Sequence, residues 1–235
     1  MYCNRARIGV IAPMDDKVEH AFNKYAPEGV SFNSSRLSFP GPTPEGLIFL
    51  SDQLEEAAKM YKKQKHDVVL FGCTSGSCIK GFGFDKECIE RIERACGWPG
   101  LTTSTAVLEA FRALGVQKTV VMTPYPEDTN EAEKKFLEDN GLDVLSITGV
   151  GFNKVGKYSS ANKEFLYRNA KSLKMKGAEV FFLSCMGLAT MELVEILEED
   201  LGVPVITSHQ ASLWACLRHS RVNDVIPGLG KLFTL

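Results

Sequence analysis

The chain has 235 residues, 44% of them hydrophobic, which is enough to bury a substantial core in one large α/β domain or two small ones. Its 27 Lys and Arg residues nearly balance 29 Asp and Glu residues and form no basic cluster or stripe, which argues against binding to nucleic acid. Residues 1–12 lack the pattern of a signal peptide, and no apolar stretch reaches the roughly 20 residues of a membrane helix. We therefore expect a cytoplasmic protein that acts on small molecules and not on membranes.

Short β-branched runs alternate with amphipathic helical patterns along the whole chain. In chain order, the predicted strands are 8–12, 67–71, 119–122, 144–147, 179–183 and 203–207. The predicted helices are 47–64, 87–95, 106–114, 130–140, 163–176 and 190–200. This alternation is typical of a parallel α/β sheet, in which functional residues gather at the carboxyl ends of the strands.

The strand ends repeat between the two halves of the chain. Pro13 and Pro124 follow equivalent strands at an offset of 111 residues, and Cys73 and Cys185 follow another pair at an offset of 112. A longer match, at an offset of 105, joins the segments 99–110 and 204–215. The repeat predicts an α/β protein of two pseudo-symmetric lobes, each a parallel β-sheet flanked by helices, with the active site in the cleft between them. The predicted lobes are 1–114, completed by the C-terminal segment 216–235, and 115–215.

The repeat predicts that Cys73 and Cys185 lie on opposite walls of that cleft. Inverting a carbon acid requires one group to remove a proton from one face and a second group to return a proton to the other, and two thiols can form such a pair. A thiolate can also add to a double bond, permit rotation and leave again. Thiolates are favoured near hydrogen-bond donors such as the turns after both cysteines. The alternative is that both cysteines are buried as small hydrophobic side chains.

The other five cysteines have no partner at the equivalent position of the other half. Packing is therefore the favoured interpretation for Cys3, Cys78, Cys88, Cys96 and Cys216. The cysteines form no CxxC pair, which argues against a disulfide framework and a structural zinc site. Because no His, Cys and Asp residues have metal-ligand spacing, we expect no metal site.

Hydroxyl groups surround the two predicted catalytic positions. Thr74, Ser75 and Ser77 follow the first cysteine and can donate hydrogen bonds to a carboxylate, or to the enediolate that forms when its α-carbon loses a proton. Tyr125, in the loop after the first strand of the second half, can add a phenol donor. Ser and Thr residues after a strand also serve as helix N-caps, and capping is compatible with anion binding at the same turn.

Four ionisable residues have two interpretations each. Asp15 and Asp16 follow the first strand, where a carboxylate could orient a substrate or accept a proton, or could cap a helix and interact with its dipole. Arg36 could pair with a substrate carboxylate, and His209 could shuttle protons. A structural or peripheral role is favoured for both of these last two residues.

The strand ends resemble those of the aspartate/glutamate racemase superfamily, and within it the branch that contains arylmalonate decarboxylase and maleate cis-trans isomerase. The resemblance spans nearly the whole chain. It rests on the segments 43–46 (TPEG), 72–77 (GCTSGS), 102–108 (TTSTAVL), 123–125 (TPY), 183–185 (LSC), 201–205 (LGVPV) and 228–233 (GLGKLF).

The resemblance implies chemistry without metal or coenzyme on a small carboxylate or dicarboxylate, in a cleft between two lobes. It implies catalytic roles for Cys73 and Cys185. It implies a substrate pocket formed by Thr74, Ser75, Tyr125, Cys185 and Met186. We also expect Pro13, Asp15 and Gly187, which follow strand ends, to bind the substrate. Arylmalonate decarboxylases carry glycine at the position of Cys73, whereas maleate isomerases and amino-acid racemases carry cysteine at both positions. The cysteine pair therefore favours an isomerase or a racemase.

Two positions depart from the pattern of the branch and leave the reaction open. Asp15 and its neighbours stand where maleate isomerases usually have asparagine, and Met186 stands where they have threonine and decarboxylases have glycine. Racemisation and cis-trans isomerisation use the same two sulfurs. The second hypothesis is decarboxylation of a disubstituted malonate, with Cys185 as the proton donor. A third is a small-molecule binding protein without catalysis, although binding alone does not need two thiols.

Overall fold

A computed structural model describes residues 4–13, 17–151 and 161–235. The first half contains β1 (Ala6–Pro13), α1 (Lys17–Tyr25), β2 (Val30–Leu37), α2 (Pro44–Asp52), α3 (Leu54–Lys59), β3 (Val68–Phe71), α4 (Thr74–Cys78), α5 (Phe84–Cys96), β4 (Gly100–Thr102) and α6 (Thr103–Leu114). The second half contains β5 (Lys118–Thr123), α7 (Glu127–Asp139), β6 (Asp143–Gly149), α8 (Lys163–Ser172), β7 (Val180–Leu183), α9 (Val194–Leu201), β8 (Val205–Thr207) and α10 (Ser208–His219). Short 3-10 helices lie at Met191–Leu193 and Lys231–Thr234.

The strands of the described chain form two four-stranded parallel sheets with the same arrangement. Their orders are β2-β1-β3-β4 and β6-β5-β7-β8. The central strands β3 (VVLF) and β7 (VFFL) are buried at every position, as expected for parallel sheets with helices on both faces. The predicted α/β class, with two similar halves, is confirmed.

Equivalent hydrogen bonds recur in the two halves. The Glu93 carboxylate accepts from the first amide of β4 at 2.9 Å, and the Glu198 carboxylate accepts from the first amide of β8 at 2.9 Å. Thr102 and Thr207 then cap α6 and α10, and both cap residues have extended backbone. The repeat at an offset of 105 therefore extends from the sequence to the hydrogen bonding.

Five of the labelled helices and strands are missing from the prediction: α1, α4, α10, β2 and β4. β2 is an edge strand whose polar sequence, VSFNSSRL, hides the alternation, and β4 has only three residues. α10 is buried over most of its length, so it lacks a polar face. The predicted helix 47–64 is divided at Gln53, whose side chain hydrogen-bonds both the amide and the carbonyl of Ser38.

Helices α6 and α10 pack against each other and join the two halves. One buried apolar cluster includes Phe111 of α6 and Phe182 of β7, whose rings meet edge to face with centroids 6.1 Å apart. Full burial of one such side chain stabilises the fold by about 1.5–3 kcal/mol. The Ser212 hydroxyl of α10 also donates to Thr103 Oγ1 of α6 at 3.1 Å. The two halves therefore share a core.

The segment after α10 contacts both halves. Asp224 forms an ion pair with Arg5, which precedes β1, and the amide of Lys231 donates to the Glu198 carboxylate of α9 at 2.9 Å. The division into lobes 1–114 and 115–215, with 216–235 completing the first, stays a prediction. None of the helices in the described ranges is long and apolar enough to cross a membrane.

Candidate active site

Cys73 lies where β3 ends and α4 begins. It is the N-cap residue of α4 and has extended backbone, with φ −145° and ψ 113°. Its carbonyl accepts from the amide of Ser77 at 3.1 Å and from the Ser77 hydroxyl at 2.8 Å. The cysteine is therefore fixed at a helix start, where backbone amides favour a negative charge.

Gly76 makes room for the Cys73 sulfur. A Cβ atom added at Gly76 would lie 2.9 Å from Cys73 Sγ and 3.1 Å from a methyl carbon of Leu50. Real Cβ atoms essentially never approach a neighbour as closely as 2.9 Å, so a side chain at Gly76 would displace the Cys73 sulfur. The sulfur therefore lies against the first turn of α4.

Cys185 occupies the equivalent place after β7 but has a different backbone. Its φ of 126° lies in a region that L residues rarely adopt, at a cost of about 1–3 kcal/mol. The amide of Gly187 donates to Cys185 Sγ at 3.2 Å, and the amide of Cys185 donates to Ser208 Oγ at 2.9 Å. The strained turn thus aims a backbone donor at the sulfur.

Ser208 connects the two cysteine turns. Its Oγ accepts from the hydroxyl of Thr74, the residue after Cys73, at 2.8 Å and from the amide of Cys185 at 2.9 Å. All of these residues are buried. Each buried hydrogen bond contributes about 1 kcal/mol net, and its loss leaves a buried polar group unpaired. The ends of β3 and β7 therefore lie next to each other.

Tyr125 adds a phenol group to the two cysteine turns and is 4% exposed. Burial is the largest cause that raises the pKa of Tyr125 well above its usual range. The charges of Cys185, Glu133 and Cys73 raise this pKa further, and the Tyr125 hydroxyl hydrogen-bonds Cys185. The amide of Tyr125 donates to Thr123 Oγ1 at 3.1 Å, which fixes the loop. The phenol therefore keeps its proton and serves as a hydrogen-bond donor.

Most of the remaining predicted substrate-binding residues belong to the described chain. Ser75, Met186 and Gly187 are buried in the turns after the cysteines, and Pro13 is half-buried at the end of β1. The Ser212 hydroxyl, which donates to Thr103, lies 3.8 Å from the Met186 sulfur. The roles of these residues toward a substrate stay predictions.

The structure describes one of the three ionisable residues that the sequence places near the end of β1. Asp15 and Asp16 lie outside the described residues. Arg36 pairs with Glu19 at 2.6 Å and donates to the carbonyl of Pro13 at 3.4 Å. These contacts hold the Arg36 guanidinium against β1 and α1.

The other described cysteines are buried in the apolar clusters of the fold. Burial raises the pKa of Cys78 well above its usual range and that of Cys88 to about 12. Burial also raises the pKa of Cys96 and of Cys216. Such thiols stay protonated, in agreement with packing roles, and Cys3 lies outside the described residues. Among residues 4–13, 17–151 and 161–235, no three His, Cys, Asp or Glu side chains are grouped as metal ligands.

Sequence reasoning missed Ser208, although the repeat contains a signal for it. The offset of 105 pairs Ser208 with Thr103, and each is the first residue of the helix after the last strand of its sheet. The Thr103 hydroxyl donates to the carbonyl of Phe71, at the end of β3, at 3.3 Å. A hydroxyl at this position therefore reaches the neighbouring strand end in both halves.

Glu133 on α7 is a second residue that sequence reasoning missed. It is 1% exposed, and neither carboxyl oxygen has a hydrogen-bond partner of normal length among the described residues. Burial raises the pKa of Glu133 to about 7, and the nearby Ser184 hydroxyl lowers it by a smaller amount. The equivalent position on α1 is Phe22, which is fully buried. The signal that could have identified Glu133 is a carboxyl group at a position where the other half of the repeat has a buried apolar residue.

His209 follows Ser208 and is 1% exposed. Burial, with a smaller effect of the Lys17 charge, lowers the pKa of His209 to about 3. Neither ring nitrogen has a hydrogen-bond partner in the described part of the chain. The imidazole is therefore neutral at physiological pH.

The fold and the paired turns define a class of protein: a pseudo-symmetric α/β molecule in which each half brings one cysteine to adjacent, hydrogen-bonded strand ends. The model of the arylmalonate decarboxylase family matches residues 8–233. The chain therefore belongs to the arylmalonate decarboxylase family, and the resemblance inferred from the sequence is confirmed.

Relatives of the chain include proteins with two named activities. The arylmalonate decarboxylase of Bordetella bronchiseptica is 32% identical, over 96% of this chain and 95% of that protein. The maleate isomerase of Nocardia farcinica is 24% identical, over 96% of this chain and 94% of that protein. The structure of a Nocardia farcinica maleate cis-trans isomerase mutant with a covalently bound succinylcysteine intermediate has a TM-score of 0.92 at 22% identity. That likeness covers 97% of this chain and 98% of the other and shows a common fold.

Proposed function

We propose that this chain is a cofactor-independent isomerase or racemase of a small carboxylate, with Cys73 and Cys185 as its two reactive groups. The observation that carries the proposal is the pair of hydrogen bonds at Ser208, which holds the two cysteine turns side by side. Chemistry at two faces of one carbon needs a second reactive group, and the second thiol supplies it. The relationship to maleate isomerases supports the same assignment.

For a cis-enedioate such as maleate, the Cys73 thiolate adds to one olefinic carbon. The electron pair of the double bond moves toward the carboxylate on the other olefinic carbon as an enediolate, and the Cys185 thiol protonates that other carbon. After rotation about the new single bond, the Cys185 thiolate removes a proton and Cys73 leaves, which restores the double bond in the trans form. The succinylcysteine named for the Nocardia farcinica isomerase mutant is an adduct of this kind.

For a saturated carboxylate with an α-proton, the same two sulfurs act without forming a covalent bond to carbon. The Cys73 thiolate removes the α-proton, and the Cys185 thiol returns a proton to the opposite face. The roles are exchanged in the reverse direction. Maleate-type isomerisation and racemisation therefore use one site, and the substrate decides between them.

We assign Ser75 and Tyr125 as hydrogen-bond donors to the substrate carboxylate and the enediolate. Thr74 belongs to the same pocket, and its hydroxyl proton goes to Ser208 Oγ. Tyr125 keeps its proton because its pKa is raised, so it remains a donor to a developing negative charge. The Thr74 and Ser75 hydroxyls lie at the start of α4, in the same turn as Cys73. Loss of one well-placed donor to such an oxyanion commonly lowers kcat by about 100-fold or more.

Decarboxylation of a disubstituted malonate is the second candidate. The observation that favours it is the higher identity with the Bordetella bronchiseptica decarboxylase, 32% against 24% for the Nocardia farcinica maleate isomerase. In that reaction carbon dioxide leaves, and Cys185 alone protonates the enediolate. Cys73 then has no task, which is why the two-cysteine reaction is preferred.

NMR in deuterium oxide distinguishes the reactions when the enzyme is given maleate, a panel of amino acids and an arylmalonate. Fumarate reports cis-trans isomerisation, α-deuteration of an amino acid reports racemisation, and an α-deuterated arylacetate reports decarboxylation. We expect one of the first two products. Turnover of the arylmalonate alone would replace the proposal with the second candidate. A Cys73→Ser/Cys185→Ser double variant is the control for uncatalysed exchange.

A further inference from the structure

A pocket of about 400 Å³ lies next to the second cysteine turn, between α1 and the start of α10. Its lining includes one face of α1, residues 189–192, Lys163 and His209. The volume falls within the range of small-molecule sites. None of the lining residues has a role in the reaction proposed above.

Two buried polar side chains of this pocket have no partner among the described residues. His209 and Thr190 are each 1% exposed, and neither ring nitrogen of His209 nor Oγ1 of Thr190 makes a hydrogen bond. A buried polar group without a partner costs about 1–3 kcal/mol, and each such group in a native structure calls for an explanation, of which a bound ligand is one. Both groups are donors and acceptors that a ligand in the pocket can satisfy.

The rim of the pocket is basic. Among the described residues that line it, Lys17, Lys24 and Lys163 accompany one acidic residue, Glu192. Lys24 and Lys163 both form ion pairs with Glu192, so one carboxylate serves two lysines. Lys17 lies close enough to His209 to lower its pKa. A ligand with a negative charge is complementary to this rim.

The equivalent place in the other half is filled. There Ser104 and Cys78 stand at the positions of His209 and Thr190, and the remaining cavity is about 10 Å³. That space holds at most one water molecule. The large pocket therefore depends on the residues that line it in α1 and in the second half, and it is not a general consequence of the fold.

We propose that this pocket is a second binding site, which takes a small organic carboxylate with an apolar body. The carboxylate lies among the lysines and accepts hydrogen bonds from the His209 imidazole and the Thr190 hydroxyl. Tyr25 and Met191, which also line the pocket, contact the apolar body. His209 directly follows Ser208, so the second site lies one residue from the hydroxyl that binds Cys185.

Histidine NMR with benzoate as the probe tests the proposal. Of the four histidines of the chain, His20 and His209 line the pocket, whereas His66 and His219 contact other parts of the fold. We expect benzoate to shift the ring carbon and proton signals of His20 and His209 saturably and to leave the other two unchanged. No saturable shift, or equal shifts of all four histidines, would overturn the proposal.

A matched pair of lysine variants tests the basic rim. Lys24 on α1 and Lys135 on α7 occupy equivalent positions at the offset of 111, and Lys135 forms an exposed ion pair with Asp139. We expect Lys24→Ala to raise the Kd of benzoate about tenfold. Glu192 then pairs with Lys163 alone, so one positive charge fewer is left to attract the benzoate carboxylate. Lys135→Ala should leave the Kd unchanged, and equal effects of the two variants would contradict the assigned site.

A third variant keeps the test independent of folding defects. Thr190→Val preserves the shape of the side chain and removes only the hydroxyl. We expect it to weaken benzoate binding several-fold. Its Tm should be at least as high as that of the wild type, because the substitution also removes an unpaired buried polar group. If Thr190→Val binds benzoate as tightly as the wild type does, the carboxylate does not bind at the Thr190 hydroxyl, and the proposed site is contradicted.

Discussion

The two cysteine turns begin from the same place in the repeat and end in different structures. Cys73 has extended backbone and caps a helix, and its sulfur lies against Gly76. Cys185 has a φ of 126°, and its sulfur accepts from the amide of Gly187. One repeat therefore presents two thiols in two environments. Such a difference suits a reaction in which one sulfur starts as a thiolate and the other as a thiol.

The hydroxyls that follow the last strands differ in the same way. Ser208 joins both cysteine turns, whereas its counterpart Thr103 donates to the carbonyl of Phe71 within its own half. The backbone frame is thus nearly symmetric, and the side chains make it asymmetric. Variants at equivalent positions can therefore separate effects on the stability of the backbone frame from effects on catalysis.

The largest expected effect comes from Cys185→Ser. Serine keeps the size of the side chain but does not ionise near neutral pH, so we expect kcat/KM for the native substrate to fall about 1,000-fold or more. Cys96→Ser is the control, because the Cys96 sulfur hydrogen-bonds the backbone of Trp98, which a serine hydroxyl can also do. A Cys185→Ser enzyme that keeps a tenth of wild-type activity would contradict the assigned role.

Glu133 and its counterpart Phe22 give the next largest effect, on stability. Burial raises the pKa of Glu133 to about 7 from its unfolded value of 4.5. The folded state therefore holds this proton more tightly, and the stability present below pH 4.5 is lost as the pH rises toward 7. The loss amounts to about 3 kcal/mol.

Urea unfolding of Glu133→Gln across this pH range measures that effect. We expect the variant to gain about 3 kcal/mol relative to the wild type between pH 4 and pH 8. Glu131→Gln, at an exposed position of the same helix, is the control and should follow the wild type. If the free energies of unfolding of the wild type and Glu133→Gln changed in parallel with pH, Glu133 would not be held as a neutral acid.

Glycine variants of the two cysteines compare the two backbones directly. Cys185→Gly relieves the strain of a positive φ, whereas Cys73→Gly gains nothing from glycine at a φ of −145°. The two thiols are similarly buried, at 4% and 6% exposure, so their lost contacts nearly cancel. We expect Cys185→Gly to exceed Cys73→Gly in free energy of unfolding by about 2 kcal/mol. Equal unfolding curves in denaturant would argue against strain at Cys185.

The smallest expected effect tests the symmetric frame itself. Thr102 and Thr207 each accept a backbone hydrogen bond at 3.1 Å as helix N-caps. We expect Thr102→Ala and Thr207→Ala each to lose about 1 kcal/mol of stability, measured by chemical denaturation. If only one of the two variants lost stability, the equivalent N-caps would share a structure without making the same contribution to the free energy of unfolding.

The repeat in the sequence predicts much of the fold, because equivalent strands end in similar residues. The positions of Cys73 and Cys185 follow from it, and so does the alternation of buried strands with helices. What the sequence hides are elements without a period, such as β4 with three residues and α4 with five. A polar edge strand such as β2 is hidden for the same reason.

The site is less predictable than the fold, because its contacts join distant parts of the chain. The hydrogen bond between Thr74 and Ser208 spans 134 residues, and no local pattern contains it. The positive φ of Cys185 is equally hidden, since cysteine has no preference for that conformation. Glu133 looks like one more polar residue of an amphipathic helix until its neighbours are known.

Turnover of Cys73→Gly on the native substrate is the most direct test of the two-cysteine reaction. The substitution gives this position the residue that the resemblance implies for decarboxylases, and it removes one of the two proposed reactive groups. We expect kcat/KM to fall about 1,000-fold or more, to the level of Cys185→Ser, because both sulfurs act in every cycle. Near-wild-type turnover by Cys73→Gly, with activity lost in Cys185→Ser, would contradict the account and assign the reaction to Cys185 alone.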